Sequence, residues 1–262
     1  MRWLVHWAAL FLIVFGLVVP APAGRSSSGI HRKRATSSER AVAASRARLR
    51  PPSLRESLML PRAGRPNRSD DADVFGLRAA SAVLMDANSG VVLYERFPDE
   101  VRSPASVTKI LTALVILEHG RLTDTVTVGA NAARTGGHRL GLRANQRISL
   151  EDLLAAILIR SANDAAVAAA EHVGGSLGGF VALMNEKAAA IGMTNSRFSN
   201  PHGLDEPFHY TTARDMATLT RVALDNPVFA EVVRTRQARL TVWNPGRRNF
   251  IPQARIVLSH NR

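Results

Sequence analysis

Residues 24–69 hold 12 Lys/Arg against two acidic residues, with prolines at 51, 52, 61 and 66 and no long apolar periodicity. Such a segment cannot bury enough surface to offset the entropy of ordering, so 24–70 reads as a basic disordered linker. Any sizeable fold in this chain of 262 residues must therefore be built from residues 71–262. The same partition changes the meaning of the net charge of +13: residues 1–23 contribute +1, residues 24–69 contribute +10, and residues 70–262, with 21 basic and 19 acidic groups, only +2. The basic segment has no aromatic residue on which bases could stack, so nucleic acid is not expected as a partner. A solvated spacer is the expected role, with contact to an anionic membrane or wall polymer as the alternative. With no cysteine, a disulfide scaffold, a thiol nucleophile and cysteine-ligated zinc are all excluded.

Ahead of the linker, Arg2 precedes an apolar run from Trp3 to Val19, followed by Pro20-Ala21-Pro22-Ala23-Gly24. A positive start, a hydrophobic stretch and small residues at 21 and 23 read as a signal peptide over 1–23, cleaved after Ala23. An uncleaved anchor is the alternative, but the run sits at the short end of the ~17–25 residues of a bilayer span. Either reading places the rest of the chain outside the cytoplasmic membrane.

Within 71–262 the pattern is strands first, then helices. Ala79–Met85 and Val91–Glu95 flank Asp86-Ala87-Asn88-Ser89-Gly90 and predict a β-hairpin. Ile110–Leu117 predicts a buried helix that begins near Ser103–Ser106 and stops at Gly120. Ser149 with Asp152 forms a capping box for a helix to about Ile159. Ala162–His172, Leu177–Ile191 and Thr212–Leu224 predict three more, and Leu240–Trp243 and Arg255–Leu258 two short strands without a continuous sheet.

Ser106-Val107-Thr108-Lys109 places a hydroxyl and an amine at i and i+3, on one face of the buried helix, with Cβ atoms about 5–6 Å apart. A serine needs a neighbouring base to act as a nucleophile, and a lysine serves as one when desolvation or nearby positive charge lowers its pKa. The apolar helix supplies desolvation, and its positive N-terminus adds to it. Given the serine and lysine content, Ser-x-x-Lys is expected ~0.2 times by chance. The bland reading makes Ser106 an N-cap and Lys109 a solvated first-turn residue. Ser161-Ala162-Asn163 comes later, at a helix start; alone it reads equally well as an ordinary cap, and Ser259-His260-Asn261 has the same spacing. The order Ser-x-x-Lys then Ser-x-Asn is that of penicillin-binding proteins and serine β-lactamases.

The stretch from about Ala79 to Asp215 resembles the serine D-alanyl-D-alanine carboxypeptidases, the low-molecular-mass penicillin-binding proteins. The pieces that carry the resemblance are Ala79–Asp86, Ser103-Pro104-Ala105-Ser106-Val107-Thr108-Lys109, Ser161-Ala162-Asn163-Asp164-Ala165-Ala166, Phe198-Ser199-Asn200-Pro201-His202-Gly203-Leu204 and Thr211-Thr212-Ala213-Arg214-Asp215. The resemblance implies an α+β fold of the penicillin-binding-protein and serine β-lactamase kind, a helical subdomain plus an antiparallel sheet. It implies Ser106 as the acylated nucleophile, Lys109 as its base, Ser161 as a proton relay and Asn163 as the partner of a substrate amide. It further implies peptidoglycan pentapeptide as substrate, β-lactam antibiotics as inhibitors, and neither metal nor organic cofactor.

The family's third element, Lys-Thr-Gly, is not among these residues; Arg134-Thr135-Gly136 precedes Ser161 and reads as a loop. The expectation is therefore a C-terminal truncation with an incomplete sheet. An inactive product or a non-catalytic wall-peptide-binding module is the alternative. A class A β-lactamase would share Ser106 and Lys109 but lacks here a Glu-x-x-x-Asn loop before Thr211. A zinc peptidase using His202, Glu206 and His209 would need a third-ligand helix that the sequence does not offer.

Overall fold

The computed structural model describes residues 10–15, 77–245 and 250–259. The linker expected over 24–70, and all of the expected export signal except Leu10–Phe15, lie outside the described residues.

Strands β2 (Ser81–Asp86) and β3 (Val92–Arg96) form the expected hairpin, with Ala82 opposite Arg96 and Leu84 opposite Tyr94. Its turn is fixed locally, because the Asp86 carboxylate accepts from the Ser89 N–H at 2.7 Å and the Ser89 hydroxyl at 2.6 Å. β2 is buried from Ser81 through Leu84, whereas β3 alternates exposed and half-buried positions, as an edge strand with one solvated face does. On the other side of β2 lies β1 (Leu10–Phe15), antiparallel, with Leu10 opposite Asp86 and Phe15 opposite Ser81.

Helix α1 (Thr108–His119) follows a 3-10 turn at Ala105–Val107 and is buried nearly all round, from Lys109 through Ile116 on every face but that of Ile110. A helix apolar on all sides belongs at the centre of a core. Around it stand α3 (Leu150–Arg160), α4 (Asn163–Gly174), α5 (Leu177–Ala190), α6 (Ala213–Leu224) and α7 (Pro227–Arg234). In α4, Ala165, Ala166, Ala168, Ala169 and Ala170 are all buried. Their small side chains let the backbones of α3 and α5 come close, so α4 is embedded although it carries little apolar bulk. The capping box is real at its serine: Ser149 Oγ accepts from the Asp152 N–H at 3.0 Å.

The carboxyl-terminal strands are longer than expected and belong to a continuous sheet. The two short strands expected near residues 240 and 256 are β6 (Gln237–Pro245) and β7 (Phe250–Ser259), nine and ten residues long, paired antiparallel. They continue a sheet ordered β4-β5-β6-β7, in which β4 (Thr125–Thr127) and β5 (Arg147–Ser149) contribute three residues each. Strands of three residues leave no alternation to detect, and their pairing is non-local. A short helix α2 (Ala130–Arg134) and α7 were also missed; α7 carries an overt start signal, Asn226 as N-cap with Pro227 behind it. Two antiparallel sheets accompany a set of helices of which five run consecutively from Leu150 to Arg234, the α+β arrangement expected, with both sheets small and open.

Candidate active site

Ser106 sits in the 3-10 turn that leads into α1, with its side chain exposed. It does not cap the helix: the N-cap is Val107, and no side chain bonds there. The turn is entered through Ala105 at φ 48°, a left-handed conformation costly for a residue with a Cβ. Its partner in sequence is no solvated first-turn residue either. Lys109 is 3% exposed, and its Nζ lies 3.3 Å from Ser106 Oγ and 2.6 Å from the carbonyl oxygen of His202.

Burial pushes the Lys109 ammonium down to about 8, and no carboxylate opposes the shift. The one acid on α1, Glu118, is paired instead with Lys187 at 2.6 Å. A lysine whose folded pKa lies below its unfolded value near 10.5 destabilises the fold while it is protonated. That penalty, roughly 3 kcal/mol, is fully present below about pH 8 and disappears as pH rises toward the unfolded value. An amine kept at this cost, beside an exposed hydroxyl, has the chemistry of a general base.

Ser161 is half-buried in the break between α3 and α4, at φ 55°. It is not an ordinary N-cap, since Ala162 holds that position for α4 without a side-chain bond. Asn163 opens α4, buried to 4% exposure, and its Nδ2 donates to the Gly136 carbonyl at 2.9 Å while its backbone N–H donates to the His138 carbonyl at 2.7 Å. Of Arg134-Thr135-Gly136, expected as a loop, Arg134 instead ends α2 and only Thr135 and Gly136 lie in a loop, one that walls Asn163. A Cβ at Gly137, where φ is +74°, would stand 2.7 Å from Asn163 Nδ2 and 3.5 Å from Leu204 Cδ2, which explains the glycine.

Asp164 holds this wall. Its carboxylate accepts from the N–H groups of Leu140, Gly141 and Leu142 at 3.0, 2.8 and 2.9 Å, and of Ala165 at 2.9 Å. Asp164→Ala leaves several of these donors without a partner, at about 1–3 kcal/mol each where buried. The expected result is a loss of about 3 kcal/mol or more in urea unfolding; a loss below about 1 kcal/mol would show that the loop stands without the carboxylate.

Sequence reasoning gave the loop 198–209 only its part in the resemblance and a disfavoured zinc role for His202, Glu206 and His209, whereas the loop packs against the turn and helix that carry Ser106 and Lys109. Thr112 Oγ1 on α1 donates to the Pro201 carbonyl at 2.7 Å, Thr108 Oγ1 meets His209 Nε2 at 3.0 Å, and Ser103 Oγ donates to Asp205. Backbone pairing of Arg197 with Tyr210 and of Arg102 with Thr211 pins the base of the loop. His209 Nδ1 accepts from the Ser199 N–H at 2.9 Å, so its Nε2 carries the proton given to Thr108. His202 Nδ1 accepts from the Leu204 N–H at 3.2 Å. Burial pushes both imidazoles down to about 4, with the positive charge of Lys109 adding to the effect on His202. The nitrogens a zinc site would need from His209 are both engaged with the protein, and among the described residues no group of three or more acids and histidines converges. The signal for this loop was present in the sequence: a glycine followed by Leu204, after Asn200 and Pro201, is turn chemistry of a defined kind.

The fold is that of the penicillin-binding proteins and DD-peptidases. The D-alanyl-D-alanine carboxypeptidase DacD of Francisella tularensis superposes with a TM-score of 0.59 at 36% identity, covering 62% of this chain and 40% of that one. A D-alanyl-D-alanine carboxypeptidase of Mycobacterium tuberculosis gives a TM-score of 0.59 at 31% identity, covering 67% and 66%. The profile of the D-alanyl-D-alanine carboxypeptidase family, peptidase family S11, matches residues 67–257, and the chain belongs to that family. Among curated relatives, the carboxypeptidase DacF of Bacillus subtilis is 40% identical over 151 residues, 56% of this chain and 39% of its own length. A D-alanyl-D-alanine endopeptidase of Pseudomonas aeruginosa is 34% identical over 187 residues, 71% of this chain and 58% of its own. The chain thus spans about two fifths of the length of the curated carboxypeptidases it matches.

Proposed function

We propose that the protein is a serine D-alanyl-D-alanine carboxypeptidase that trims peptidoglycan pentapeptides through an acyl-enzyme on Ser106. The observation that carries this reading is the buried Lys109 amine, without a carboxylate partner, 3.3 Å from the exposed Ser106 hydroxyl. Neutral Lys109 takes the hydroxyl proton as Ser106 Oγ adds to the carbonyl carbon of the terminal peptide bond. The carbon–nitrogen bond breaks, D-alanine leaves with a proton relayed through Ser161, and water then hydrolyses the ester. Asn163 keeps its amide oxygen and its second N–H for a substrate amide, the first N–H being held by Gly136. A β-lactam enters by the same addition and remains as the ester. None of these steps calls on a metal or organic cofactor.

The proposed domain organisation is an export signal over 1–23, a basic linker over 24–70 and the peptidase domain from 71 onward, acting outside the cytoplasmic membrane. Cleavage after Ala23 would remove β1 and open that edge of β2. The basic linker, near an anionic membrane or wall polymer, would tether the domain to its substrate.

The test is release of D-alanine from a pentapeptide, with the rate of acylation by benzylpenicillin followed from pH 5.5 to 9.5, on the protein as its reading frame encodes it. Because the reactive form is the neutral amine, the acylation rate should rise about tenfold per pH unit below the Lys109 pKa of about 8 and level off above it. Lys109→Arg keeps the charge but cannot accept a proton at these pH values. It should lower acylation by about 10²–10⁴-fold and abolish the inflection. Acylation by Lys109→Arg at the unsubstituted rate would exclude Lys109 as the base.

A further inference from the structure

The shortest contact of Lys109 Nζ is to a backbone oxygen, that of His202 at 2.6 Å, in a loop without helix or strand. A carbonyl in such a loop points where its peptide plane is held. In a trans peptide the C=O and the following N–H point in opposite directions. The carbonyl of His202 and the N–H of Gly203 belong to one such plane, and that N–H donates to Asn200 Oδ1 at 2.7 Å. The plane is therefore clamped at both ends, by Asn200 on one side and Lys109 on the other.

Asn200 suits this task. It is 4% exposed, its Oδ1 also accepts from the His202 N–H at 3.2 Å, and its Nδ2 donates to the Leu204 carbonyl at 2.8 Å, so one buried amide fixes three consecutive residues. Without it the plane has a ready alternative, because Gly203 at φ +89° tolerates both turn geometries that a peptide flip connects. A flipped plane would turn an N–H toward the lysine.

We infer that Asn200 is a positioning residue for Lys109: by clamping the His202–Gly203 peptide it aims the His202 carbonyl at Nζ and so directs the lone pair of the amine toward Ser106. A neutral amine has two hydrogens and one lone pair; with one hydrogen held by the carbonyl, the lone pair is confined to the two remaining tetrahedral positions, and the Ser106 hydroxyl selects between them. The same carbonyl also accepts from the ammonium, so the geometry persists through the proton cycle. The two histidines near Lys109, His202 and His209, stay neutral over the useful pH range, well above 4, and the Asp205 carboxylate accepts from the Ser103 hydroxyl.

This inference rests on the proposed roles of Ser106 and Lys109, and its test separates the two. Acylation by benzylpenicillin is measured against pH for the unsubstituted protein, Asn200→Ala and Asn200→Asp, with thermal unfolding of each. Asn200→Ala should lower the plateau rate by about 10²-fold and move the inflection downward, since the ammonium loses its acceptor. Asn200→Asp retains an oxygen for the Gly203 N–H and adds a negative charge near the amine. It should recover at least tenfold over alanine at the plateau, with the inflection moved upward. A merely structural role would reduce the folded fraction and leave the inflection in place. Should alanine prevent folding, Asn200→Leu, which keeps the volume without the acceptor, takes its place, with the same lowered plateau and downward inflection expected. Folded Asn200 variants with unchanged rate and inflection overturn the inference alone; an unsubstituted protein that is not acylated overturns the reading beneath it as well.

Discussion

Ser106→Ala should abolish covalent labelling by a fluorescent penicillin and leave the thermal unfolding midpoint within a few degrees of the unsubstituted protein. Chemistry and packing separate here because the side chain is exposed and does not cap α1. Its hydrogen bond to Lys109, at 3.3 Å, is long, so deleting it costs the fold about 1 kcal/mol or less. An acyl-enzyme, by contrast, cannot form without its oxygen. A catalytic nucleophile accounts for a factor of about 10⁴ or more in turnover. Undiminished label in Ser106→Ala would place the nucleophile elsewhere.

The second large effect comes from a residue that never touches the reacting atoms. A Cβ on Gly203 would lie 1.8 Å from the carbonyl oxygen of Ala105 and 3.0 Å from the backbone nitrogen of Ser106. Backbone atoms cannot step aside as the end of a side chain can. The positive φ at this position adds about 1–2 kcal/mol for any residue with a Cβ. Gly203→Ala must therefore push the loop away from the 3-10 turn, and with it the carbonyl that meets Lys109. Penicillin acylation should fall by at least 10²-fold, because displacements near 1 Å have effects of that size in a preorganised site. The unfolding midpoint should drop as well, by several degrees or more. A Gly203→Ala protein with the parent's midpoint and acylation rate would show that the close approach of loop and turn is not needed.

The closeness of Ser106 and Lys109 was legible in the sequence because a spacing of i and i+3 is meaningful at a helix start, whereas Ser161 and Asn163 stood out only through the order of the two motifs and the resemblance it carries. α1 was legible as an apolar run closed by Gly120. The supports of the site were not. Asn200 and Lys109 are 91 positions apart, and what joins them is a backbone carbonyl, which no side-chain pattern announces. Asp164 resembles any acid in the first turn of a helix; its work is done on three N–H groups of a loop more than 20 residues earlier. β4 and β5 failed for a different reason: three residues each carry too little alternation, and their partners come from tertiary pairing. Asn226-Pro227, by contrast, is a local start signal for α7 that the sequence carries in full.

The central claim is that the Ser106 hydroxyl, activated by a neutral Lys109, is the atom that becomes acylated. Its most direct measurement is a mass-spectrometric map of the protein after reaction with benzylpenicillin and trypsin. The peptide Ser103–Lys109 contains two serines, so fragmentation must distinguish them. One adduct is expected, with the mass of the whole penicillin added, on Ser106. An adduct on Ser103 or Ser161, or none on the folded protein, would contradict it.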